Sequence, residues 1–131
     1  MKTLIVEDDF TSRLLMQEIL KDHGPAHVAI NGEEAVTAVG QALATDHHYD
    51  LICLDIMMPE MDGQEALRRI RELEEAHGIL STAGARIIMT TSLNDMKNVG
   101  DAFNSLCDAY LVKPIRKGQL LEQLHELTLI S

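Results

Sequence analysis

Five short apolar runs punctuate the chain: TLIV (3–6), HVAI (27–30), LICL (51–54), RIIMT (86–90) and AYLV (109–112). The first, third and fourth are nearly continuous in apolar character, which suits strands covered on both faces; a strand with one wet face would alternate. Between the runs, apolar residues recur at helical spacing. The stripes are Phe10, Leu14, Leu15, Ile19 and Leu20; Ala35, Val36, Val39, Ala42 and Leu43 behind an Asn31 cap; Ala66, Leu67, Ile70 and Leu73; Met96, Val99, Phe103 and Leu106; and Leu120, Leu121, Leu124 and Leu127. Strand and helix thus alternate five times, and right-handed crossovers between parallel strands place helices on both faces of one sheet. The predicted class is α/β, a (βα)5 doubly wound five-stranded parallel sheet. Gly100 weakens the fourth helical stretch by about 1 kcal/mol relative to Ala. A polar, Gly-containing connection, EEAHGILSTAGA (74–85), precedes the fourth strand.

A length of 131 residues suits one domain over 1–131. The 21 acids against 11 Lys and Arg give a net charge of -10, which argues against direct nucleic-acid binding, since that affinity rests on clustered cations. No segment approaches the roughly 18 apolar residues of a membrane span, and the N-terminus MKTLIVEDD lacks a signal peptide's apolar stretch. No membrane insertion and a cytoplasmic location are therefore expected. Cys53 and Cys107 suit neither a disulfide framework nor a structural zinc site and read as small hydrophobes. Met57, Met58 and Met61 read as gap-filling apolar groups, and His47 and His48 as solvated residues of a polar turn.

In an open doubly wound sheet, ligands sit beyond the carboxyl ends of the strands. Glu7, Asp8 and Asp9 follow strand one, Asp55 follows strand three, Thr91 and Ser92 follow strand four, and Lys113 and Pro114 follow strand five. Every one of these groups falls on the same edge.

The segments "LIVEDD", "LDIMMPEMDG", "IIMTTS" and "AYLVKP", in that order at those strand ends, resemble the receiver domain of two-component response regulators, of the chemotaxis CheY type. The resemblance covers essentially the whole chain. It implies a flavodoxin/CheY-like three-layer sandwich with strand order 2-1-3-4-5, working as a phosphorylation-dependent switch. A sensor histidine kinase's phosphohistidine would donate a phosphoryl group to Asp55. Such transfer needs an in-line nucleophile, cations for the phosphoryl oxygens and hydrogen-bond donors. Asp55 supplies the first, Lys113 a point charge and Thr91 a hydroxyl, and the acids suit a hard cation, Mg²⁺ with Mn²⁺ as a possible substitute.

The resemblance also fixes finer assignments. It pairs Glu7 with Asp8 at the metal, leaving Asp9 as a helix cap and the fallback ligand, and adds the main-chain carbonyl of Met57. It implies a cis Lys113–Pro114 bond. It matches Thr91 and Tyr110 to a switch pair that alters a surface of the fourth helix, fifth strand and fifth helix, read by an unidentified downstream protein target. Three departures stand out: Ile115 replaces an aromatic, Ser92 replaces a residue such as Ala, and the Gly63–Thr91 connection is longer than usual. Met57 and Leu93, two residues beyond Asp55 and Thr91, are apolar and unable to orient water, so a long-lived phosphoryl form is expected.

The chain is accordingly expected to be a phosphoacceptor with Mg²⁺-dependent self-phosphorylation and autodephosphorylation chemistry rather than an enzyme. A dehalogenase-type phosphohydrolase would want an Asp where Met57 stands, and a flavin carrier would want a phosphate-cradling loop where strand one ends in acids. Within the family, a phosphorelay intermediate and a receiver excised from a larger regulator or hybrid kinase remain alternatives. The end at Ser131, just past the fifth helical stretch, leaves no room for a DNA-binding domain within this sequence.

Overall fold

The computed structural model describes residues 1–58, 61–79, 83–92 and 106–131. Strands are β1 (Thr3–Val6), β2 (Ala26–Ala29), β3 (Leu51–Asp55), β4 (Arg86–Thr91) and β5 (Ala109–Val112). Helices are α1 (Phe10–Leu20), followed by a single 3₁₀ turn (Lys21–His23), then α2 (Gly32–Ala44), α3 (Gly63–Ala76) and α4 (Lys117–Glu126). The fourth helical stretch read from the sequence, with Met96, Val99, Gly100 and Phe103, lies outside the described residues, as does Leu93. All strand pairs are parallel, in the order β2-β1-β3-β4-β5, as the resemblance implies.

The two-residue strand period divides the core into two layers. Leu4, Val6, Ile52, Leu54, Ile87 and Met89 point to one face and pack with Ala35, Val39, Leu67 and Ile70 of α2 and α3. Ile5, Leu51, Cys53, Ile88 and Leu111 point to the other and pack with Met16, Ile19 and Leu20 of α1 and Leu120 and Leu124 of α4. Both faces are therefore dry, which is why β1, β3 and β4 carry no polar alternation. Each fully buried aliphatic side chain here contributes about 1.5–3 kcal/mol of transfer free energy.

Side-chain caps start three of the helices. Asp9 accepts from the Ser12 amide at 2.9 Å, Asn31 from Glu34 at 2.8 Å and Asp62 from Glu65 at 2.9 Å. Each satisfies one of the amides that a helix start leaves without an intrahelical partner.

The α1 stripe is where the structure departs most from the periodicity. Ile19 and Leu20 are buried, but Phe10, Leu14 and Leu15 are 62%, 49% and 41% exposed, and Met16 takes the buried place. At about 3.6 residues per turn the buried face runs through Met16, Ile19 and Leu20, which puts Leu14 on the opposite side of the helix and Phe10 and Leu15 on its flanks. β2 also ends one residue early and leaves Ile30 exposed. Among the described residues, no helix is long and apolar enough to cross a membrane.

Candidate functional site

β1 and β3 lie side by side, with Val6 opposite Leu54, so the residues that follow them meet at one edge. Glu7 and Asp55 are buried there and Asp8 is exposed; one carboxylate oxygen of each lies within 4.8 Å of the others. Lys113 reaches in from the end of β5, with Nζ 2.9 Å from Glu7 Oε2 and 3.2 Å from Asp55 Oδ2. Its backbone amide donates to the Thr91 carbonyl at 2.7 Å, which ties the end of β5 to the end of β4.

One ammonium between two buried carboxylates leaves the cluster short of positive charge. Burial, and then the Glu7 carboxylate, raise the Asp55 pKa to about 7 against the partial opposition of Lys113. Burial works against the Lys113 ammonium, but the hydrogen bond to Glu7 and the charges of Asp55 and Glu7 outweigh it and raise its pKa. The donor set is all carboxylate oxygen, the ligand chemistry of a hard divalent cation such as Mg²⁺, and a cation there would relieve the repulsion between Glu7 and Asp55. The residues present fit that ion.

The backbone around Asp55 is tightly folded. Ile56 donates to the Thr90 carbonyl at 3.0 Å, and Gly63 donates back to the Ile56 carbonyl at 2.8 Å. A Cβ at Gly63 would stand 2.2 Å from the Asp55 carbonyl oxygen and 2.8 Å from Ile56 Cα. The first residue of α3 must therefore be glycine for the helix to seat against the strand end. The Met57 amide lies 3.4 Å from Asp55 Oδ1, while its side chain is exposed. The Lys113–Pro114 bond is cis.

Among the described residues, the side chains of Thr91 and Tyr110 make no hydrogen bond to the acid cluster. Thr91 is buried, and its hydroxyl donates to the Ser92 carbonyl at 3.1 Å. The Tyr110 hydroxyl is buried and makes no hydrogen bond among the described residues; the Cys107 thiol, a weak acceptor, adjoins it. Burial, then that thiol, push the phenol's pKa up. Because a thiol is a weak acceptor, the hydroxyl recovers little of its desolvation cost, and Tyr110→Phe is expected to change stability by less than about 1 kcal/mol in urea denaturation.

Sequence reasoning passed over Arg13. Its Nη1 donates to the Glu7 carbonyl at 3.1 Å and so braces the loop that carries the acids. The signal was available: a cation one turn into the helix that follows an acidic run. The Asp9 carboxylate is the cap of α1, and its amide donates to Glu7 Oε1 at 3.1 Å.

The response regulator receiver domain family matches residues 3–125. The chain belongs to that family. The receiver is 33% identical over 127 residues to the chemotaxis protein CheY of Bacillus subtilis, covering 95% of each chain. It is 36% identical over 129 residues to hybrid signal transduction histidine kinase B of Dictyostelium discoideum, covering 94% of this chain and only 6% of that kinase. Among solved structures it is similar to the receiver domain of the histidine kinase CKI1 from Arabidopsis thaliana complexed with Mg²⁺ and BeF3⁻. The TM-score is 0.79 at 28% identity, covering 97% of this chain and 89% of that one. The receiver thus shares its fold and family with components of two-component signalling that range from a protein of its own size to a small part of a large kinase.

Proposed function

We propose that the receiver is a phosphorylation switch in which Asp55 takes a phosphoryl group from the phosphohistidine of a sensor histidine kinase. The convergence of Glu7, Asp8, Asp55 and Lys113 at one sheet edge carries this reading. In the transfer, an Asp55 carboxylate oxygen forms a bond to phosphorus as the phosphorus–nitrogen bond breaks, and that bond's electron pair remains on the departing imidazole. Bound by Glu7 through water, by Asp8, by Asp55 and by the Met57 carbonyl, Mg²⁺ would neutralise charge developing on the phosphoryl oxygens. Lys113 turns from Glu7 and Asp55 toward a phosphoryl oxygen, and Thr91 gives up its Ser92 contact to donate to another. A new position of Thr91 beside β5 changes the space available to Tyr110, and the altered surface selects a downstream protein. Exposed Phe10, Leu14, Ile30 and Met57, on segments leading to or from this edge, offer apolar area for seating the donor.

The same proposal has the protein act as a switch rather than a turnover enzyme, in the cytoplasm, as a single receiver unit over residues 1–131. The alternative of a receiver working inside a larger hybrid kinase is favoured by one observation, the match to a short part of the Dictyostelium kinase.

Labelling tests the reading. Acetyl phosphate with Mg²⁺ is expected to add one phosphoryl mass to the wild type and none to Asp55→Asn; undiminished labelling of that variant rejects Asp55 as the acceptor. Asp8→Asn is expected to weaken labelling more than Asp9→Asn, because the Asp9 carboxylate is committed to the Ser12 amide. The reverse order would move the metal register by one residue.

A further inference from the structure

A second cluster of charge lies at the opposite edge of the sheet. The Arg71 side chain on α3 is 12% exposed and divides its guanidinium among four acceptors. Nη1 donates to Glu74 Oε1 at 2.7 Å and to the Ala85 carbonyl at 2.8 Å, Nε to the Leu106 carbonyl at 2.8 Å, and Nη2 to Asp108 Oδ2 at 3.2 Å. Asp108 Oδ2 also accepts from the Ile87 amide at 2.8 Å, while the Asp108 amide donates to the Ile87 carbonyl at 2.8 Å. Arg86 Nη1 donates to Asp108 Oδ1 at 3.3 Å, so the residue before β5 is bonded twice to Ile87 and once to Arg86 of β4, and once to α3.

β5 has four residues and, among the described residues, pairs on one side only, with β4. So short a strand makes few ladder bonds, so contacts at its ends add to its register, and a slip of one residue would turn every side chain to the other face and move it about 3.3 Å along the strand. The Asp108 carboxylate extends the ladder by one step with a side chain. Lys113, about 16 Å farther along at the chemical edge, is placed by whatever fixes that register.

We infer that Arg71 is a positioning residue for phosphoryl acceptance: together with Asp108 it locks the register of β5 so that Lys113 Nζ falls against Asp55. The inference rests on the proposed role of Asp55. The shape of the guanidinium matters beyond its charge, because the Ala85 and Leu106 carbonyls are held by separate N–H groups of one planar fork, which a lysine lacks. The carboxylates that would hold Mg²⁺ follow β1 or end β3, and neither strand pairs with β5. Loss of the lock should therefore impair labelling and spare the metal.

The test uses Arg71→Lys and, as a near-isosteric second variant, Asp108→Asn, each confirmed as folded by circular dichroism. Labelling rates from acetyl phosphate are compared with Mg²⁺ dissociation constants from calorimetric titration. The labelling rate is expected to fall about tenfold, within the range that a displacement of about 1 Å produces, with Mg²⁺ affinity unchanged or tighter. A fall of less than about threefold, or a fall accompanied by weaker Mg²⁺ binding, would show general loosening or no coupling and overturn the inference. Failure of the underlying reading looks different: the wild type itself would not label at Asp55.

Discussion

Asp55→Asn is expected to stabilise the metal-free protein by about 2–4 kcal/mol at pH 8 and to leave it nearly unchanged at pH 4. The carboxyl's pKa is about 7 in the folded protein against an ordinary 3.8. Below 3.8 both folded and unfolded chains hold the proton, and Asp55 costs nothing. As pH rises from there, the unfolded chain releases its proton first, so stability drains away until the folded group also ionises near pH 7. The gap between the two pKa values corresponds to about 4 kcal/mol, and loss of the Lys113 contact trims the gain. Asparagine has no proton to release and keeps the side chain's shape. Thermal melts of both proteins from pH 4 to pH 8 check this: the two midpoints should diverge above pH 4 and run parallel above pH 7. Parallel curves throughout would mean that Asp55 ionises as readily in the folded chain as in the unfolded one. Millimolar Mg²⁺ should narrow the gap at pH 8, since binding to the folded form alone stabilises it by mass action.

Gly63→Ala is the second large effect. The added methyl would meet backbone, the Asp55 carbonyl oxygen at 2.2 Å and Ile56 Cα at 2.8 Å, so no side chain can swing aside. Either α3 lifts or the end of β3 shifts, and a loss of about 3 kcal/mol follows, the upper end of ordinary overpacking. Labelling should fall as well, since the displaced backbone is that of the acceptor. Gly118→Ala is the internal comparison: a Cβ there has nothing within 4 Å, and its place in α4 predicts a gain of about 0.5–1 kcal/mol. Equal urea midpoints for the two variants would show that the contact at Gly63 is relieved at no cost.

The parallel sheet is legible in the sequence because both its faces are dry, which leaves β1, β3 and β4 as unbroken apolar runs, and acids directly after such runs stand out. Half-exposed β2 lacks that contrast, and the apolar run carries its end one residue too far. The α1 stripe misleads for a different reason: its apolar residues are spread widely around a short helix, and only packing shows that the buried face runs through Met16. Arg71 is invisible at that level because its partners Ala85, Leu106 and Asp108 lie far along the chain, on connections whose approach depends on the finished fold. The buried Tyr110 hydroxyl is equally hidden, since sequence places the residue in a strand without saying where its oxygen ends up.

The acid cluster draws on stretches that lie far apart in the receiver's sequence. Asp55 comes 48 residues after Glu7 and Lys113 another 58 after that, and the counter-ion arrives only when β5 has docked. On the proposed chemistry, a half-synthesised or truncated chain displays the acids without their lysine and is a poor phosphate acceptor. Signal reception would then report that the receiver has folded through its fifth strand: only such copies would enter the labelled pool, and misfolded ones would stay silent.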